Sequence, residues 1–277
     1  MQWEKSMRDS KEALQQGQSF RHGISMVPAS GIARQYYCEQ KVEMEYLHGE
    51  IETEAKTEGD RLHEQLIQMT KTTRDDLIKS IKRRKILVAS FPIFAKFSGL
   101  VIVGVPDAIV FLKSIPKYLI ELKTTKGDAS RLWKAQLLQA QIYGLILEEM
   151  GFDCSRLKLV VMRIRGQEGL SPQYRENFLR ESVTRLLKSG HNSAMGKTDS
   201  TTHVIDYNKQ DVIADLKWAE AYWLSQREPI PTQNISKCRS CEFNDRCPRN
   251  LVTGHGPSHH ISSSFTGTWS YSLSRSL

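Results

Sequence analysis

Residues 100–125 read LVIVGVPDAIVFLKSIPKYLIELKTT, two apolar, β-branched runs around a short polar break. Ser114 and Pro116 mark that break as a turn, so the stretch predicts an antiparallel hairpin. Three charges interrupt the apolar runs: Asp107 directly after Pro106, then Glu121 and Lys123 on the second strand. Side chains at i and i+2 of a strand share a face, so Glu121 and Lys123 point the same way. With a turn centred near 114–116, Asp107 falls opposite Lys123 and diagonal to Glu121, about 7 Å away at Cβ. Charges set among apolar residues are costly unless they are paired or bind metal. Two carboxylates at that spacing can share one hard divalent cation and leave positions for water and a phosphate oxygen. A lysine beside them can orient or deprotonate the water and offset phosphate charge. Those parts suit metal-assisted phosphodiester hydrolysis; a solvated Glu-x-Lys strand face is the competing explanation.

Further strands and helices surround the hairpin. ILVASFPIFAKF (86–97) is β-rich, and a helix over about 130–150 can be capped by Ser130 or Asp128 and ended by Gly151. LKLVVMRI (157–164) reads as another strand, and 211–226 as a helix. The β-β-β-α-β order predicts an α/β fold with a mixed central sheet flanked by helices. Gln139 and Tyr143, spaced i and i+4, share one helix face and could touch a substrate backbone or position the lysine. Upstream, EAKTEGDRLHEQLIQMT (54–70) has a helical stripe of Leu62, Leu66 and Met69 and carries His63. A basic cluster, Lys79, Lys82, Arg83, Arg84 and Lys85, fits either a phosphate-backbone path or a solvated helix face. Residues 39–64 hold nine acidic against three basic side chains, which argues against a DNA track there. Tyr36, Tyr37 and Trp133 are candidates for stacking on single-stranded bases.

Composition narrows the class. The 277 residues carry a formal charge of +8 and a 39% hydrophobic fraction, enough for a packed core and permissive for nucleic acid. No apolar run approaches the roughly 18 residues that cross a bilayer, and the polar start lacks an export signal, so a cytoplasmic location is expected. Residues 251–277 hold eight serines and no acid, and read as a flexible tail. Residues 1–24 read as an N-terminal extension, and 25–250 as a single domain with its catalytic core over about 54–165.

Five cysteines are too sparse for a disulfide scaffold. Cys238, Cys241 and Cys247 follow a C-x2-C-x5-C spacing, and Cys38 lies two hundred residues upstream. Clustered thiols suit zinc and an iron–sulfur site alike, although a second C-x2-C pair, common in structural zinc sites, is missing. Cys154 lies outside the pattern and reads as a packed thiol.

The ordered set GDRLHE (59–64), GVPD (104–107), ELK (121–123) and QAQIY (139–143) resembles the RecB-like branch of the PD-(D/E)-x-K nucleases. The resemblance implies a restriction-endonuclease-like core in which His63, Asp107, Glu121 and the Leu122 carbonyl hold magnesium or manganese. Lys123 would be the catalytic lysine, and Gln139 with Tyr143 the Gln-x-x-x-Tyr motif. The cysteine pattern is similar to that of RecB-like nucleases with a four-cysteine [4Fe–4S] cluster. Cys38, Cys238, Cys241 and Cys247 would then tie both chain ends into one cap. Two groups fit, the CRISPR-associated exonucleases of the Cas-four type and the exonuclease-five type. Both imply exonucleolysis of single-stranded DNA; the first adds spacer acquisition beside CRISPR integrase proteins. A non-catalytic DNA-binding subunit and a zinc-binding adaptor are the alternatives from other classes.

Overall fold

The computed structural model describes residues 2–8, 19–49, 74–125, 127–165, 172–189 and 200–252. The expected helix at 54–70, with GDRLHE and His63, lies outside the described residues, as does the tail from 253 onward. The helices are α1 (Gln2–Arg8), α2 (Ala29–Gln35), α3 (Glu39–His48), α4 (Arg74–Arg83), α5 (Lys134–Glu149), α6 (Pro172–Ser189), α7 (Lys209–Trp223) and α8 (Ile235–Arg239). The strands are β1 (Val27–Pro28), β2 (Ile86–Ala89), β3 (Ile93–Phe97), β4 (Leu100–Gly104), β5 (Ala108–Leu112), β6 (Ile115–Thr125), β7 (Lys158–Arg165) and β8 (Ser200–Asp206).

A five-stranded sheet runs in the order β2-β5-β6-β7-β8, antiparallel except for the parallel β6–β7 pair. It is the expected mixed sheet. Period-two alternation divides its side chains between two cores. Ile109, Phe111, Leu119, Leu159 and Val161 join the core that contains α5. Ala108, Val110, Tyr118, Ile120, Val160 and Met162 pack instead against Leu179, Val183 and Leu186 of α6. Glu121 and Lys123 have the parity of Leu119, so they belong to the α5 face. Helix α5 is buried continuously from Leu138 to Leu147, because it packs on the sheet on one side and on α2, α7 and β3 elsewhere.

Both long apolar runs break where the sequence suggests continuity. Phe91–Pro92 separates β2 from β3, and Val105–Pro106 separates β4 from β5, so β3 and β4 pair in a second sheet, order β1-β4-β3. Proline offers no ladder donor at either break. Ser90 Oγ donates to the Pro106 carbonyl at 2.7 Å, which ties the two breaks together and forms one corner. Asp107 sits on that corner.

The turn also differs from expectation. Lys113 and Ser114 form a two-residue connection with φ of 49° and 70°, and the register shifts between Val110 and Phe111. Helix α5 begins at Lys134 behind Trp133, four residues later than expected. Asp128 does not cap it but accepts from the Ser130 backbone at 2.8 Å. Gly151, at φ 95°, ends it as expected.

Candidate active site

Ala108 pairs with Ile120, so one further step along the register brings Asp107 level with Glu121. This corrects the expectation that Asp107 faces Lys123. The shorter turn and the bulge move the pairing by two residues. The result is tighter than a diagonal: the Leu122 backbone N–H donates to Asp107 Oδ2 at 2.6 Å. Asp107 is 2% exposed and Glu121 1%.

From Glu121 a continuous polar chain runs to α5. Glu121 Oε1 lies 2.7 Å from Lys123 Nζ, which donates to Gln139 Oε1 at 3.0 Å. Gln139 Nε2 in turn donates to the Tyr143 hydroxyl at 2.8 Å. The i, i+4 spacing places both groups on one face of α5, as the sequence predicts. Gly104, three residues before Asp107, makes room for the Tyr143 ring; a Cβ there would stand 2.2 Å from Tyr143 Cε1. Gly104→Ala should therefore displace Tyr143, costing about 1–3 kcal/mol of stability through overpacking. It should also lower cleavage about 10²-fold by unseating Gln139 and Lys123. Thermal melts and kinetics on labelled DNA check both effects.

The electrostatics follow from burial. Burial first, and the Glu121 charge second, hold Asp107 well above the usual aspartate range. For Lys123, burial pulls the ammonium down, but Glu121 and Asp107 outweigh it and keep it above the ordinary lysine value. Burial and the Glu121 charge push the Tyr143 phenol well up, so it stays a hydroxyl. Glu121 Oε2 is buried without a hydrogen-bond partner. Two buried carboxylates side by side, one with a spare oxygen, fit a hard divalent cation. Among the described residues no group of three or more His, Cys, Asp or Glu side chains is gathered to hold a metal, and His63 lies outside them. Asp107, Glu121 and the Leu122 backbone are thus brought together, while the fourth expected ligand is not described.

The four patterned cysteines converge on one pocket. Cys38, Cys238, Cys241 and Cys247 all line it, with Tyr37, Lys41, Pro231, Phe243 and Arg249 among their neighbours. All four are free thiols and half-buried, and Thr232 N donates to Cys38 Sγ at 3.4 Å. Burial raises the Cys241 and Cys247 thiols. The four thiols line one pocket without being drawn together as a ligand set; sulfur donors are the kind that zinc and iron–sulfur sites take. Cys154 is 5% exposed in the core, and burial pushes its thiol far up, consistent with a packed side chain.

The ends that carry these cysteines are joined by polar contacts that the sequence did not reveal. Glu39, fully buried, accepts from Arg227 Nη2 and from Ile230 N at 2.6 and 2.7 Å, and from Gln35 Nε2 at 2.8 Å. Arg34 pairs with Glu45, which also faces Lys41, and Lys41 pairs with Glu242 beside the cysteines. Arg34 is near enough to bear on the Lys123 charge. No local pattern betrays partners some two hundred residues apart.

The remaining candidates separate. The Tyr36 hydroxyl donates to Asp215 Oδ1 at 2.6 Å, and Tyr37 lines the cysteine pocket, so both are engaged in tertiary contacts. Trp133 stays 45% exposed. The basic cluster lies on the solvent side of α4 and just beyond it, with Lys82 paired to Glu4 at 2.9 Å. No helix of the described residues is long and apolar enough to cross a membrane.

Comparison with known proteins bears on the family. Mitochondrial exonuclease V of Candida albicans is 41% identical over 44 residues, 16% of this chain and 7% of that protein. The Debaryomyces hansenii counterpart is 39% identical over 46 residues, 17% and 7% respectively. These matches span only about 7% of the relatives' length. The crystal structure of SSO0001 aligns over 91% of this chain and 96% of its own, with 17% identity and a TM-score of 0.46. The description "PD-(D/E)XK nuclease superfamily" matches residues 14–248, which include the corner, the hairpin, α5 and all four patterned cysteines. With Asp107, Glu121 and Lys123 gathered under Gln139 and Tyr143, the chain belongs to the PD-(D/E)XK nuclease superfamily.

Proposed function

We propose that the chain is a divalent-metal-dependent DNA exonuclease acting on single strands. The observation that carries this reading is the buried Asp107–Glu121 pair coupled through Lys123 to Gln139 and Tyr143. Asp107, Glu121 and the Leu122 carbonyl, with His63, would hold magnesium or manganese. When bound, such a cation neutralises a phosphate oxygen and makes a water easier to deprotonate. Lys123, kept as an ammonium by Glu121, is suited to orienting the water and offsetting negative charge as the phosphorus is attacked. Gln139 fixes the Lys123 rotamer, and Tyr143 fixes Gln139. The aliphatic residues around the pair exclude bulk water and strengthen each of these contacts.

The stretch of identity with mitochondrial exonuclease V supports exonucleolysis and favours the exonuclease-five type over the CRISPR-associated type. Cys38, Cys238, Cys241 and Cys247 would bind a [4Fe–4S] cluster, which closes a single domain over residues 25–250 by its two ends. The test uses end-labelled linear DNA, single- and double-stranded, and circular single strands. Cleavage of linear single strands that requires magnesium or manganese and stops with EDTA is expected, with circles spared. Equal attack on circles would replace the exonuclease with an endonuclease. An absence of metal-dependent cleavage on every substrate would remove the nuclease reading.

A further inference from the structure

The loop between β6 and α5 leaves the strand two residues past Lys123 and returns as the helix that carries Gln139. It holds the exposed indole of Trp133, and the Arg131 guanidinium lies 3.9 Å from the indole centroid. The exposed indole has cations for neighbours. Arg131 and Lys134 are exposed beside Trp133. Arg165, exposed at the end of β7, pairs in register with Thr125, where the loop departs. A two-residue step from Lys123 to Thr125 advances about 7 Å along the strand. The aromatic and its cations are thus attached to the strand end next to the nuclease centre.

The loop is also held. Arg163, 3% exposed on β7 and the register partner of Lys123, donates through Nη1 to the carbonyls of Asp128, at 2.9 Å, and Arg131. The backbone of Ala129 hydrogen-bonds His203 of β8. Lys134 pairs with Asp215 at 2.9 Å and lies over the Tyr36 ring, which anchors the far side of Trp133 to α7. A buried arginine whose hydrogen bonds go to loop carbonyls, with the Asp128 carboxylate also within its field, holds the loop in place.

Resting on the nuclease reading and deepening it, we propose that Trp133 is a stacking platform for one nucleobase of the single strand entering the site. Arg131 covers one part of the indole and meets the adjacent phosphate, Lys134 and Arg165 extend the cationic track, and Arg163 is the positioning residue beneath. Stacking on an aromatic is tolerant of base identity, so the platform confers a preference for unpaired strands over sequence. Paired bases present no free face to it.

The test measures anisotropy of fluorescein-labelled oligothymidylate and of an all-abasic strand of equal length, in EDTA, with the full chain. Trp133→Ala should weaken oligothymidylate binding about 10-fold. It should leave the abasic strand and the melting temperature unchanged, and Trp133→Phe should restore most of the loss. Wild-type affinity of Trp133→Ala for oligothymidylate would overturn the platform, and so would an equal loss on both strands. Because no cleavage is measured, failure here is distinct from failure of the nuclease assignment, which Asp107→Asn decides.

Discussion

Asp107→Asn should lower cleavage by at least about a thousandfold and, in the absence of metal, make the protein melt at a higher temperature. Both effects come from one feature, a carboxylate 2% exposed that faces a second carboxylate 1% exposed. Catalysis needs the pair as anions, because neutral Asn cannot hold a divalent cation with the same charge, and metal assistance carries most of the barrier lowering. Stability prefers otherwise. Lys123 is a cation that favours the charged form of Asp107, but it is already committed to Glu121 at 2.7 Å. An asparagine retains an oxygen for the Leu122 N–H and brings no charge, so the metal-free protein should gain roughly 1–3 kcal/mol.

The sign of the pH dependence follows from linkage. Burial and Glu121 raise Asp107 above its ordinary value, so the native state binds this proton more tightly than the unfolded chain. Metal-free stability therefore falls as pH rises from the ordinary aspartate value through the raised one. Asp107→Asn lacks that contribution, so its melting advantage should grow as pH rises through the raised value and close toward about pH 4, near the ordinary aspartate value. Adding magnesium should raise the melting temperature of the wild type but much less that of the variant. Melts across pH, with and without metal, check this. An active Asp107→Asn would place the chemistry elsewhere. A variant less stable at every pH would mean that Asp107 is held by its contacts more than it is strained by its neighbour.

The shared faces of the proposed site residues were legible because local periodicity dictates them. Glu121 and Lys123 share a face by strand geometry, and Gln139 and Tyr143 share one by helix geometry, whatever packs on them. The register was not legible. Its turn residues are Lys113 and Ser114, which adopt positive φ without the Asn-Gly signature of such turns, and the bulge at Val110 adds a second shift. Nor were the corners at Pro92 and Pro106, where apolar runs pass from one sheet to another without a change in composition. Helix α6, with Leu179, Val183 and Leu186 in a readable stripe, covers the far face of the sheet and was overlooked. Strand β8 is half-exposed through most of its length, which mutes its pattern. Arg163 reads as an ordinary charge near a strand end, and only tertiary contact shows it buried under a loop.

The second large effect should appear at the cysteines. If the proposed cluster is bound, Cys38→Ser or Cys247→Ser should abolish iron and sulfide content in anaerobically purified protein, while Cys154→Ser should leave both intact. The distinction rests on position: the first two line the shared pocket, and Cys154 is enclosed in the core. Because the four thiols come from both ends of the chain, a bound cluster would contribute to folding as a staple, on the order of 5 kcal/mol or more. Its loss should nevertheless leave the sheet folded. Glu39 still binds Arg227 and the Ile230 N–H, and Arg34, Glu45, Lys41 and Glu242 still connect α2 and α3 to the cysteine segment. The serine variants should thus lose several degrees of melting temperature and become sensitive to proteases over residues 228–252, yet keep more cleavage activity than Asp107→Asn. Visible absorption, iron and zinc analysis and limited proteolysis separate the outcomes. Stoichiometric zinc in colourless protein would replace the cluster with a zinc site on the same four thiols. Cysteine variants with unchanged metal content and stability would show that the thiols face one pocket without binding metal, leaving the Glu39–Arg227 and Lys41–Glu242 contacts to join the two ends.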